Sequence, residues 1–166
     1  MKTALRLAGG AMAAACVIAA ATVAGASDQH VLTGTFTETA TGAGLGYDLH
    51  GSAKLVVGET STEGSINVAG LDPAKHYTSH LHNAPCSTGG GGHYQHVEGG
   101  AVDPVNELWF STSDDPAGGV DTNPGGVAHG GGATTWQARV TSAATNAESI
   151  VVHEPGGARI ACADLG

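Results

Sequence analysis

Short β-branched runs separated by Gly, Pro and Asp recur from residue 30 onward, and no segment sustains the 3.6-residue apolar period of an amphipathic helix. The fold expected is therefore all-β. Eight runs read as strands, at residues 30–37, 52–57, 64–68, 76–83, 107–113, 135–140, 149–153 and 158–163. Leu71-Asp72-Pro73 marks a turn between the third and fourth, since Pro brings no N–H to a central ladder. Residues 84–104, with Gly89 to Gly92, and residues 114–132, with Gly118-Gly119, Gly125-Gly126 and Gly130 to Gly132, read as long loops. Such runs order only when something holds them, because Gly loses more backbone entropy on ordering than any other residue.

The first 26 residues have a different character. Lys2 and Arg6 precede a stretch made mostly of Ala, Val, Ile, Leu and Gly, and Ala24-Gly25-Ala26 offers small residues for cleavage, the layout of a secretory signal. The functional domain is then 27–166, exported from the cytoplasm. Two alternatives compete with cleavage. The apolar stretch could stay as an anchor, since a spanning helix needs roughly 20 apolar residues. Lipid could instead attach at Cys16 after Ala13-Ala14-Ala15, but the apolar residues 17–26 would then stand where a polar tether is expected.

Cleavage leaves Lys54, Lys75, Arg139 and Arg159 as the only basic residues against 15 acids, a formal charge of −11. With no basic cluster to neutralise phosphates, nucleic acid is not expected as a partner, nor is membrane insertion once the leader is gone. Two cysteines remain, Cys86 and Cys162, and an even pair in an exported chain reads as a disulfide. The loop it closes, about 76 residues, corresponds to roughly 4 to 5 kcal/mol of chain-entropy stabilisation before strain is subtracted.

Nine His in a chain with only 13% charged residues raise the question of a metal. In Ser79-His80-Leu81-His82-Asn83, strand alternation puts His80 and His82 on one face, which brings two imidazoles together without bending the backbone. His93 follows Gly91-Gly92, and His153 ends the apolar run Ile150-Val151-Val152, a rim position. Plainer readings suffice elsewhere. His30 and His50 lie in polar surroundings and read as solvated, His76 starts a strand, and His129 sits in a loop. Trp109 and Trp136 read as packing residues of strands, and Asp114-Asp115 as a solvated turn. His96 stands between a metal contact and a rim residue.

Taken in order, His80-Leu81-His82, Cys86, Gly92-His93-Tyr94, Val151-Val152-His153-Glu154 and Ala158-Arg159-Ile160-Ala161-Cys162 resemble the copper-zinc superoxide dismutase family. Gly70-Leu71-Asp72-Pro73 is similar to that family's turn before the H-x-H, and the resemblance runs over residues 66–162. It implies an eight-stranded antiparallel Greek-key β-barrel or sandwich with long loops, copper as cofactor and superoxide anion as substrate. Carried over position by position, it makes His80, His82, His93 and His153 copper ligands. His93 corresponds to the imidazole that bridges copper and zinc in two-metal members, and Arg159 to the active-site guanidinium. A Cys86–Cys162 bond would tie the loop bearing His93 to the strand bearing Arg159. Four imidazoles form a borderline-soft set that serves both Cu(II) and Cu(I).

The chain departs from the two-metal pattern in three ways. After His93 it offers only His96 where those members have two more His and an Asp, so zinc is not expected. Glu98, Asp103, Asp114 and Asp115 lack the family's context. Only residues 154–158 separate His153 from Arg159 in place of a long charged loop, which should leave the metal open to solvent and Arg159 less firmly aligned. These departures resemble the copper-only branch of the family. The reaction implied is alternate reduction and reoxidation of copper by two superoxide anions, giving dioxygen and then hydrogen peroxide, with His93 as the nearby proton donor. Without zinc, the second nitrogen of His93 needs another partner, and Glu98 or His96 is expected to supply it. A non-enzymatic copper carrier of the same fold is the competing reading, and a domain with vestigial His is a third.

Overall fold

The computed structural model describes residues 29–59, 62–102, 106–110, 119–121, 127–128 and 146–166. The expected leader, the candidate strand at 135–140, and Asp103, Asp114, Asp115, His129 and Trp136 lie outside the described residues. The strands are β1 (His30–Glu38), β2 (His50–Val57), β3 (Thr62–Ala69), β4 (His76–His82), β5 (Trp109–Phe110), β6 (Gly119–Asp121), β7 (Val127–Ala128), β8 (Ser149–His153) and β9 (Arg159–Asp164). Among the described residues a short α-helix, α1 (Ala40–Gly44), and a 3-10 turn, Cys86–Thr88, interrupt them; Thr39 caps α1 by accepting from Gly42 N–H at 3.1 Å. A single turn of helix leaves no periodicity to read, which is why the sequence gives no sign of it.

The all-β expectation holds, with two differences. The run expected at 107–113 is a strand at Trp109–Phe110 among the described residues, and β6 and β7 fall inside the stretch expected to be a loop. Their pairing is supplied by neighbours: β6 lies on β4, and β7 on β3. Long-range ladders of this kind override weak local preference.

Every described pairing is antiparallel, and the strands form one sheet in the order β5-β4-β8-β9-β1-β2-β3-β7, with β5 and β6 pairing to successive stretches of β4. The sheet curls into a nearly closed barrel. Near its two ends, the Phe110 ring of β5 lies over Gly64 of β3, where an added Cβ would come within 2.5 Å of it.

Alternation fills the barrel. Phe36, Leu55, Ile66 and Val68 point inward, while Lys54, Ser65 and Asn67 stay exposed. From β4, β8 and β9 the core takes Tyr77, Leu81, Ile150, Val152 and Ile160. The five residues of β8 are all buried, so its second face is covered as well. That face carries Val151 and His153, and the loop after β4 lies over it: a Cβ at Gly90 would meet Val151 Cγ2 at 2.8 Å. A Cys86–Cys162 disulfide, with a Cα separation of 5.7 Å, fixes this loop to β9.

Candidate metal centre

Strand register performs the first part of the assembly. His80 and His82 leave β4 on the face opposite Leu81, and β8 pairs beside it with Thr78 against His153 and His80 against Val151. Between β8 and β9 the register slips, so that Ala161 faces Val152 while Arg159 faces His153. Irregularities of this kind re-aim side chains at a strand end. His93 arrives from outside the strands. Asn83 N–H donates to Gly92 O at 3.1 Å and Tyr94 N–H to Leu81 O at 2.9 Å, which lays this segment along the end of β4 and sets His93 against His82.

One ring nitrogen from each of His80, His82, His93 and His153 lies within 4.8 Å of the others. The hydrogen bonds on their far sides decide which nitrogen that is. His82 Nδ1 donates to Gly90 O at 3.2 Å, and His153 Nδ1 donates to Gly157 O at 3.0 Å. A carbonyl oxygen only accepts, so in both neutral rings the proton sits on Nδ1 and Nε2 presents a lone pair. Those two Nε2 atoms are 3.3 Å apart. Two lone pairs facing at this distance repel unless a cation stands between them.

Three of the rings are kept neutral by their surroundings. Burial, with the neighbouring His153 next in weight, pushes His80 down to about 2 and His82 down to about 3. Burial lowers His153 as well, outweighing the opposing bond to Gly157. His93 Nδ1 lies 3.0 Å from Glu107 Oε2, which leaves Nε2 as its free donor atom. His80 Nδ1 is buried with no hydrogen-bond partner among the described residues. Clustered imidazoles, three of them neutral and one with an orphaned nitrogen, fit a metal ion, and the four could hold one. Imidazole suits copper, zinc, iron and nickel alike, so the donors alone leave the metal's identity open.

Glu107 is the functional residue that sequence reasoning missed. Its carboxylate is buried and takes three N–H groups: His93 Nδ1, Trp109 Nε1 at 2.7 Å and Gln95 Nε2 at 3.2 Å. The partners expected for His93, Glu98 and His96, do not occupy this position. Glu98 is exposed at the edge of a polar cavity of about 180 Å3 that His93, Asn83, Gln95 and Asn146 also line. His96 lies outside the four-ring cluster, its backbone N–H bonded to Asn106 O at 2.7 Å. Asn106 diverts this stretch: its Oδ1 accepts from Val97 N–H at 2.6 Å, and its Nδ2 donates to Val97 O and Ala101 O, each at 3.0 Å. One signal for Glu107 was present. Glu107 and Trp109 alternate with the apolar Leu108 and Phe110, and an acid within a buried strand pattern requires partners.

Arg159 stands across from His153, and two carbonyls hold its side chain, where the short segment before it led to the expectation of looser alignment. Its Nη1 donates to Gly89 O, and its Nη2 to Gly91 O at 2.7 Å. The guanidinium therefore straps β9 to the His93 loop alongside the disulfide, and its charge adds to the forces that keep His80, His82 and His153 neutral. On the far side of His153, Glu154 is held by Lys75 Nζ at 2.7 Å and by the Tyr47 hydroxyl. His30, His50 and His76 are exposed and outside the cluster.

Fold and site together define a class: an antiparallel β-barrel domain carrying four imidazoles placed to hold one metal ion. No protein-family model matches the chain, and no curated protein does.

Proposed function

We propose that this chain is an exported copper-dependent superoxide dismutase of the copper-only kind, built on an eight-stranded Greek-key barrel. The observation that carries the reading is the convergence of four imidazole nitrogens, two of them Nε2 lone pairs 3.3 Å apart, at the residues whose motifs resemble that family. Copper held there would supply one-electron chemistry, exchanging Cu(II) and Cu(I) against two superoxide anions and two protons to give dioxygen and hydrogen peroxide.

His80, His82 and His153 would hold the ion throughout, each presenting a neutral ring, with His93 as the fourth ligand while its Nε2 is unprotonated. His93 Nε2 is the atom that carries the proton: Nδ1 stays tied to Glu107, whose buried carboxylate offsets the positive charge when Nε2 is protonated. Arg159 draws in the anion over short range, where its charge is least screened. It works against the field of the whole chain, which is acidic. The disulfide is compatible with an oxidising compartment outside the cytoplasm.

The test is superoxide removal by the copper-loaded chain beside Arg159→Ala and His153→Ala, with metal analysis of every sample for copper and zinc. The reading expects removal to be lost in His153→Ala and slowed in Arg159→Ala. A wild type that binds copper yet is no faster than His153→Ala is a carrier and not an enzyme.

A further inference from the structure

The Trp109 side chain lies against two of the four imidazoles without belonging to the cluster. Trp109 pairs with His80 across β4 and β5, and its ring centroid lies 5.0 Å from that of His80 and 6.3 Å from that of His93. Its indole N–H donates at 2.7 Å to Glu107 Oε2, the same oxygen that His93 Nδ1 meets. The ring is half-buried, so one part faces the site and another reaches solvent.

Two properties of this arrangement bear on redox chemistry. An indole is electron-rich and among the side chains most readily oxidised, and here it contacts a ligand ring with nothing in between. The carboxylate polarises the N–H and stabilises positive charge on the ring as electrons leave it, an effect strengthened by its burial. A tryptophan placed only for packing would need a partner for its N–H. It would not need that partner to be the anion shared with a metal ligand.

We propose that Trp109 is an oxidation site, taking up oxygen from hydrogen peroxide at this centre in place of the ligand imidazoles. The inference rests on the reading that a redox-active copper occupies the four rings. In the net step the O–O bond of one peroxide and one indole C–H bond break, a C–O bond forms to give a hydroxylated ring, and the displaced hydrogen leaves with the second peroxide oxygen as water. The ring is oxidised by two electrons and the peroxide is reduced by two. Copper is returned unchanged.

The experiment loads the chain with Cu(II) and, separately, with Zn(II), records the electron paramagnetic resonance spectrum of the copper sample, and exposes both to hydrogen peroxide. Tandem mass spectrometry then locates the added oxygen. The expected result is several-fold more oxygen on Trp109 with copper than with zinc, accompanied by loss of indole fluorescence. In Trp109→Phe the oxygen moves to His80 or His82, and copper is lost sooner. A nitrogen-ligated copper spectrum with oxygen on His80 or His82 of the wild type, and none on Trp109, overturns the proposal and leaves the copper reading standing. A sample with no nitrogen-ligated copper overturns both.

Discussion

His93 Nδ1 lies 3.0 Å from Glu107 Oε2, and this one contact decides which nitrogen of His93 is free to meet the other three rings. The pair is asymmetric: the His93 side chain is 31% exposed, whereas that of Glu107 is 0% exposed. The acid is thus the fixed partner and the imidazole the one that is aimed.

Replacing Glu107 by Gln keeps the shape and removes the charge that orients His93. Metal affinity should fall by about 10- to 100-fold, the usual effect of losing such a supporting group. Competition against a chelator of known affinity measures it. Unchanged affinity would remove Glu107 from the orienting role.

The buried rings make the metal-free fold sensitive to acid. In the unfolded chain His80 and His82 titrate near 6.5, whereas in the fold they are held at about 2 and about 3. Below pH 6.5 the unfolded chain therefore takes up protons that the folded chain refuses, and stability falls as pH falls until the folded values are reached. Each ring contributes at most about 1.4 kcal/mol per pH unit. Thermal unfolding midpoints of the metal-free chain should drop from neutral toward mildly acid pH, and His80→Gln should make that drop shallower. An equal slope in the two proteins would contradict the assignment.

Gly90 is confined on two counts. Its φ of +84° is one that side chains rarely adopt, and an added Cβ would sit 2.8 Å from Val151 Cγ2 and 3.2 Å from His82 Nδ1. Gly90→Ala should cost about 1 to 3 kcal/mol in chemical unfolding. It should also weaken metal binding, because Gly90 O is the acceptor that sets the His82 ring. A variant that loses stability but binds metal as well as the wild type would separate the two effects and refute the second.

The disulfide and Arg159 hold the same loop to the same strand. Removing the bridge with Cys86→Ser and Cys162→Ser together should cost about 2 to 5 kcal/mol of stability. Removing the strap with Arg159→Ala should cost less, since the loop stays covalently tied, and should not alter the redox state of the cysteines. Denaturant unfolding of the two variants, with a thiol assay, compares them. A larger loss in Arg159→Ala would reverse this order.

Much of the candidate site was legible because its signals are local. His80-Leu81-His82 needs only the two-residue period of a strand to place two imidazoles on one face, and Ile150-Val151-Val152-His153 shows where its strand ends. Pairing Cys86 with Cys162 needed only the expectation of export and an even count. The helix after Thr39 and the strands at Gly119–Asp121 and Val127–Ala128 were not legible, since one is too short for a period and the others take their order from distant partners.

Sequence distance misled in one place. Glu98 lies five residues from His93 and is not the partner of its Nδ1, while Glu107 lies fourteen away and is. Asn106 bonds to Val97, next to the exposed Glu98, and the pairing of Trp109 with His80 brings Glu107 beside the imidazole cluster. The sequence by itself determined which imidazoles share a face, because alternation is a property of the strand alone. Which nitrogens face inward, and which carboxylate supports them, was decided only by the tertiary structure, because those choices depend on Gly90 O, Gly157 O and Glu107 meeting rings from other segments of the chain.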